Sequence, residues 1–212
     1  MQYAIIGAGG TGGVVGYFMT KAGKDVTLIA RGRHLEAMKK HGLTLERLWD
    51  PNPETIEVKA TDMEHYEERP DVILVCVKGY SLEDTVPFIR RVAKPDTIVI
   101  PILNIYGTGA KLQKELPELL VTDGCIYVSA NIKEPGVLLQ HGKILRIVYG
   151  VREKAEERPE LEQIRQDFTD SSIDGILSEN IRREALEKFS YVSPIGAAGL
   201  YCNAVAGDFQ KE

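Results

Sequence analysis

Tyr3-Ala4-Ile5-Ile6-Gly7-Ala8-Gly9-Gly10-Thr11-Gly12 decides how this chain folds. Tyr3 to Ile6 is a short apolar run whose length and glycine-rich exit fit a buried parallel strand. Val14, Val15, Phe18 and Met19 then recur at helical spacing, and Gly23 stands where a C-cap belongs, so a helix is predicted from about Gly10 to Ala22. Between strand and helix, Gly7, Ala8, Gly9, Gly10, Thr11 and Gly12 fit a GxGxxG fingerprint in the context its mechanism requires. Gly7 permits the tight turn, Gly9 lets backbone approach a pyrophosphate, Gly12 lets helix lie against strand, and the amides at the helix start face the anion. The six residues are assigned to a dinucleotide.

Val26 to Ile29 is the second strand. A site that prefers NAD places Asp or Glu about 20 residues beyond the fingerprint, to accept from the ribose hydroxyls. Arg31 holds that place here. A guanidinium cannot accept from a hydroxyl but pairs with a 2′-phosphate, and Arg33 adds positive potential, so NADPH is favoured over NADH. His34 reads as a surface residue of a helix spanning His34 to His41, and Leu43 to Val58, with Trp49, Pro51 and Pro53, as a hairpin or edge strand.

Val72 to Val77 is a nearly pure run of β-formers and should be a central strand. A helix from Leu82 to Val92, a strand from Thr97 to Ile102 and a helix from Gly109 to Leu116 continue an alternation that implies a doubly wound sheet. Strands at Leu120 to Val128, Val137 to Gln140 and Leu145 to Gly150 lack long helices between them and read as an antiparallel extension. Helices follow at Pro159 to Phe168 and Glu179 to Val192, with the short apolar run Ile173 to Leu177 between them. The fold class is therefore α/β: a Rossmann-type, mostly parallel sheet with an antiparallel extension over residues 1–178. Residues 179–212 are too few to bury a core of their own and read as the incomplete start of an all-α second domain.

Composition narrows the function. The chain has 212 residues, 43% hydrophobic, and 31 acidic against 26 scattered basic side chains give a net charge of −5, so nucleic acid is not an expected partner. Cys76, Cys125 and Cys202 lie far apart in apolar surroundings, outside any CxxC or Cys/His cluster, and read as reduced core thiols rather than metal ligands. No apolar run reaches a membrane span and a strand begins at Tyr3, so neither membrane insertion nor a signal peptide is expected, and the location read is cytoplasmic.

Ligands of open α/β sheets bind at the carboxyl ends of the strands. Lys78 closes the run Val72 to Val77 and Asn104 closes Ile98 to Leu103; by position alone each is either a site residue or a loop residue. Lys188 carries more. At about 100° per residue, Ile181, Ala185, Phe189 and Val192 form one apolar stripe, and Lys188 falls inside it. An ammonium there must reach a cleft or a partner, where it could protonate a carbonyl oxygen as hydride arrives at the carbon, or else snorkel while its stem covers the core.

Together these residues resemble the ketopantoate reductase (2-dehydropantoate 2-reductase) family. The resemblance rests on GAGGTG at Gly7 to Gly12, Arg31, VCVK ending in Lys78, Leu103-Asn104, the turn Glu134-Pro135-Gly136, and IRREALEKF containing Lys188. It implies an oxidoreductase acting on CH–OH that reduces the 2-keto acid 2-dehydropantoate to (R)-pantoate with NADPH, in pantothenate and coenzyme A biosynthesis. Lys188 would match the catalytic lysine and Asn104 the asparagine near nicotinamide and substrate. Lys78 would match a lysine at the cofactor's ribose, and Ala130 a small residue beside the nicotinamide. The family pairs a Rossmann domain with a helical domain, which here would stop before further substrate contacts, and a homodimer is the assembly considered. Ile105 stands where the family usually has glycine, Val192 where it has asparagine, and an apolar-small run spans Ile195 to Gly199, all on the substrate side. Two other functions compete: an NADP-dependent dehydrogenase for another hydroxy acid, and an NADP-binding sensor without turnover.

Overall fold

The computed structural model describes residues 1–205 and 207–208; residue 206 and residues 209–212, the end of the expected second-domain segment, lie outside it. The first half runs β1 (Gln2–Ile6), α1 (Gly10–Lys21), β2 (Asp25–Ile29), α2 (Gly32–His41), β3 (Leu43–Arg47), β4 (Asp50–Ile56), β5 (Lys59–Thr61), β6 (Val72–Val75), α3 (Thr85–Val92), β7 (Ile98–Pro101) and α4 (Thr108–Glu115). The rest runs β8 (Leu120–Val121), β9 (Asp123–Tyr127), β10 (Ala130–Glu134), β11 (Val137–Gln140), β12 (Arg146–Gly150), α5 (Pro159–Asp170), β13 (Asp174–Leu177) and α6 (Ile181–Cys202).

A six-stranded sheet in the order β5-β2-β1-β6-β7-β8 is parallel throughout, with Ile5 opposite Leu28 on one side and Leu74 on the other. Its central strands are buried on both faces. Tyr3, Ile5, Val72 and Leu74 pack with Val14, Val15, Ile164 and Phe168 from α1 and α5, while Ala4, Ile6, Ile73 and Val75 pack with Phe88, Ile89 and Leu112 from α3 and α4. Alternate residues thus enter opposite cores, which is why these strands read as unbroken apolar runs.

The expected extension is two further sheets, one ordered β10-β11-β3-β4 and one ordered β13-β12-β9, each mixing parallel and antiparallel pairs. Leu43 to Val58 is indeed a hairpin; Pro51 and Pro53 fall on β4, an edge strand, where a missing N–H interrupts no ladder. The predicted strand Leu120 to Val128 is divided at Thr122. The Thr122 N–H still bonds Val99 in the large sheet, whereas Asp123 pairs with Gly150 in the three-stranded one. Helix α6 runs ten residues past the expected end at Val192, through Pro194, because the small residues after it remain compatible with helix at the loss of one ladder bond. Cys202 is exposed on that extension and so is not a core thiol, whereas Cys125 is buried and Cys76 partly so.

Asp167 of α5 ties the helix to the sheet. It accepts hydrogen bonds from the Tyr3 hydroxyl (2.5 Å), Lys24 Nζ (2.9 Å) and Gln163 Nε2 (3.2 Å). Burial raises its pKa, but these bonds outweigh burial and the net direction is down. A carboxylate with a depressed folded pKa contributes stability above its unfolded pKa, near 4, and loses it as pH falls through the folded value. Asp167→Asn is therefore expected to lower unfolding stability at pH 7 by about 1.5–3 kcal/mol, the range for hydrogen bonds to a charged group, since Lys24 keeps Asp170 as a partner, and to flatten the acid limb of stability against pH; urea titrations between pH 3 and 7 measure both.

Candidate active site

The turn from β1 into α1 forms a cradle. Gly7 has φ +93°, a backbone state that glycine adopts without strain, and its N–H and that of Ala8 both bond the Ile29 carbonyl (3.0 and 3.1 Å), tying the loop to β2. A Cβ on Gly10 would lie 2.4 Å from the Ala130 carbonyl oxygen, and one on Gly12 would lie 2.4 Å from the Gly7 carbonyl oxygen. The first turn of α1 is thus pressed between the Gly7 turn and β10, and Ala130 is brought against Gly10. Gly9, the N-cap of α1, has nothing within 4 Å of the Cβ position. No side chain caps the helix and its first turn holds no acidic residue, so its leading amides remain available to an anion approaching over Gly9 and Thr11. The residues present fit a dinucleotide pyrophosphate.

Arg31 is the N-cap of α2 and its side chain is exposed, as is that of Arg33. His34 differs from its reading as a surface residue. It is half-buried, with Nε2 2.9 Å from the Ala8 carbonyl oxygen and Nδ1 accepting from the Gly136 N–H at 3.0 Å, because α2 folds back over the loop. Those partners lie 26 and 102 residues away, so nothing local in the sequence marks it.

The second cluster forms where α6 crosses the strand ends. Asn180 caps α6 by accepting from the Arg183 N–H, and Ile181, 1% exposed, packs on Cys125 and Val148 from β9 and β12. Two turns on, Lys188 is only 7% exposed. Its Nζ donates to Asn104 Oδ1 at 2.6 Å and sits 5.2 Å above the centre of the Tyr127 ring. Burial pushes its pKa below the ordinary lysine value. Leu103, Ile105, Tyr106, Phe189 and Val192 line the small cleft around this pair, with the Tyr106 and Phe189 rings 6.3 Å apart. Such a site can deliver one proton or one strong hydrogen bond inside apolar walls.

Lys188 and Asn104, separated by 84 positions, are therefore in contact. Lys78 is exposed at the close of the β6 run, where its carbonyl accepts from the Ser81 N–H. Neighbouring Gly79 abuts Ile105, so the two strand-end loops meet: a Cβ there would lie 2.2 Å from Ile105 Cδ1. Tyr127 was not singled out from sequence, although an aromatic residue at a strand end is a usable signal.

The model of the family described as "Ketopantoate reductase PanE/ApbA" matches residues 3–154. Among curated proteins, the chain is 32% identical over 200 residues to a 2-dehydropantoate 2-reductase of Pyrococcus horikoshii, covering 93% of this chain and 64% of that protein. An uncharacterized oxidoreductase of Bacillus subtilis is 26% identical over 91% of this chain and 62% of its own length. The chain thus spans a little under two thirds of the length of these relatives. Among solved structures, a 2-dehydropantoate 2-reductase from Porphyromonas gingivalis superposes with a TM-score of 0.87 at 24% identity over all of this chain and 76% of that one. A D-mandelate dehydrogenase in complex with NADH and anilino(oxo)acetate superposes at 0.79 and 23% identity, over 89% of this chain and 60% of that one. Both likenesses describe the fold.

Proposed function

Because this chain belongs to the ketopantoate reductase family, we propose that it carries the NADPH site and catalytic lysine of an oxidoreductase that reduces 2-dehydropantoate to (R)-pantoate. The observation that carries this reading is the buried Lys188 ammonium bonded to Asn104 at the mouth of the strands. Gly7, Ala8, Gly9, Gly10, Thr11 and Gly12 hold the pyrophosphate, and Arg31 pairs with the 2′-phosphate. Lys78 reaches the ribose from the neighbouring loop, and Ala130 leaves room for the nicotinamide. When bound, NADPH supplies the hydride that adds to the keto carbon. Lys188 Nζ donates a hydrogen bond to the carbonyl oxygen, gives up a proton as that oxygen gains charge, and recovers the proton from water. Asn104 Oδ1 fixes the direction of Nζ, and burial of Lys188 lowers its pKa, which eases release of the proton. Residues 1–178 form the cofactor domain, residues 179–212 begin the helical domain that closes the cleft, and the protein works in the cytoplasm, alone or as a homodimer.

A second reading keeps the chemistry and changes the acid. Ile105, Phe189 and Val192 make the wall beside Lys188 apolar, which favours a 2-keto acid with an apolar or aromatic side chain over one carrying a hydroxyl. The test is NADPH oxidation by the protein across a panel of 2-keto acids. Highest kcat/KM on 2-dehydropantoate supports the first reading and highest kcat/KM on phenylglyoxylate the second. Tight NADPH binding without oxidation by any acid would leave a sensor.

A further inference from the structure

We infer that His34 is a positioning residue that aims the Gly9 amide at the cofactor's pyrophosphate; the inference rests on the reading of the Gly7 to Gly12 turn as a dinucleotide site. The Ala8 carbonyl and the Gly9 N–H belong to one planar peptide unit and point in opposite directions, so whatever fixes the carbonyl also fixes the amide. His34 fixes the carbonyl. Its Nδ1 accepts from the Gly136 N–H at 3.0 Å, which leaves the ring proton on Nε2, and that proton is donated to the Ala8 carbonyl oxygen at 2.9 Å. Both bonds are saturated and the ring is half-buried, so the imidazole is held neutral in one tautomer, and burial lowers its pKa further. The same ring joins three segments: the phosphate turn after β1, the start of α2 beside Arg31, and the β10–β11 turn whose first strand, through Ala130, packs on Gly10. Gly9 is the position with open space above its Cα, where the ligand must approach.

Two near-isosteres separate the two bonds. The amide nitrogen of glutamine takes the place of imidazole Nε2 and can still donate to Ala8, whereas the side-chain oxygen of asparagine takes the place of Nδ1 and can only accept from Gly136. Dissociation constants for NADPH, and for adenosine 2′-monophosphate, which lacks the pyrophosphate, would be measured on the full chain and on His34→Gln, His34→Asn and His34→Leu. NADPH binding should weaken about tenfold in His34→Asn and His34→Leu and stay within about threefold in His34→Gln, with adenosine 2′-monophosphate unchanged throughout. Should His34→Leu fail to fold, the contrast between glutamine and asparagine still decides. Equal NADPH affinity in the asparagine and glutamine variants, or parallel loss of both ligands, overturns the inference while leaving the cofactor site intact. An unmodified chain that binds no NADPH overturns the reading of the site itself, and this inference with it.

Discussion

Lys188→Ala is expected to lower turnover by about 10²- to 10⁴-fold, the range lost with general-acid assistance, while NADPH affinity stays within a few-fold. The two quantities separate because Lys188 faces Asn104 and Tyr127, and the phosphate turn is built from other elements. Truncation leaves Asn104 free to bond water, since its side chain is exposed, so the protein should stay folded. The pH profile supplies an independent check. The protonated amine is the active form and burial has lowered its pKa, so turnover should be level below that pKa and fall as pH rises through it, earlier than for a free lysine. Near-normal turnover in the alanine variant, measured as steady-state NADPH oxidation, would assign Lys188 to packing.

Arg31→Ala should remove most of a preference for NADPH over NADH. A charge-assisted hydrogen bond contributes about 1.5–3 kcal/mol, or roughly one to two decades of affinity. Arg31 caps α2 through its backbone, which alanine preserves, and its exposed side chain makes no core contact, so the change should appear in NADPH binding alone. Fluorescence titration with both nucleotides measures it, and equal dissociation constants for NADPH and NADH in the unmodified protein would refute the assignment.

The large sheet was legible because its strands are buried on both faces, as Ile73 and Leu74 show by entering opposite cores. Strands β5 and β10 were not legible: Lys59-Ala60-Thr61 is three residues at a sheet edge, and Ala130 to Glu134 is almost wholly exposed, so neither shows a period of two. In the site, the cradle declares itself because its function needs glycines at fixed local spacing. Lys188 was visible as a charge inside an apolar stripe, yet its contact with Asn104 depends on how α6 crosses the strand ends, which no local pattern encodes. His34 lay at the far limit of such reading. Its role consists of two backbone partners, and backbone groups carry no residue identity to recognise.

Helix α6 also has a mechanical character. Its first turn is pinned by Ile181, by the Ser178 hydroxyl donating to Glu184 (2.6 Å) and by Arg182 paired with Glu153 (2.9 Å), whereas Tyr191, Leu200 and Tyr201 further along are exposed. With a rise of 1.5 Å per residue, Lys188 lies about 10 Å from that fulcrum and Cys202 about 30 Å. A tilt of about 5° that carries the far end through roughly 3 Å therefore moves the lysine backbone by only about 1 Å. The helix behaves as a lever with its short arm at the ammonium: coarse displacements at the outer end reach Asn104 reduced threefold. Even so, about 1 Å added to a 2.6 Å contact is enough to part donor from acceptor.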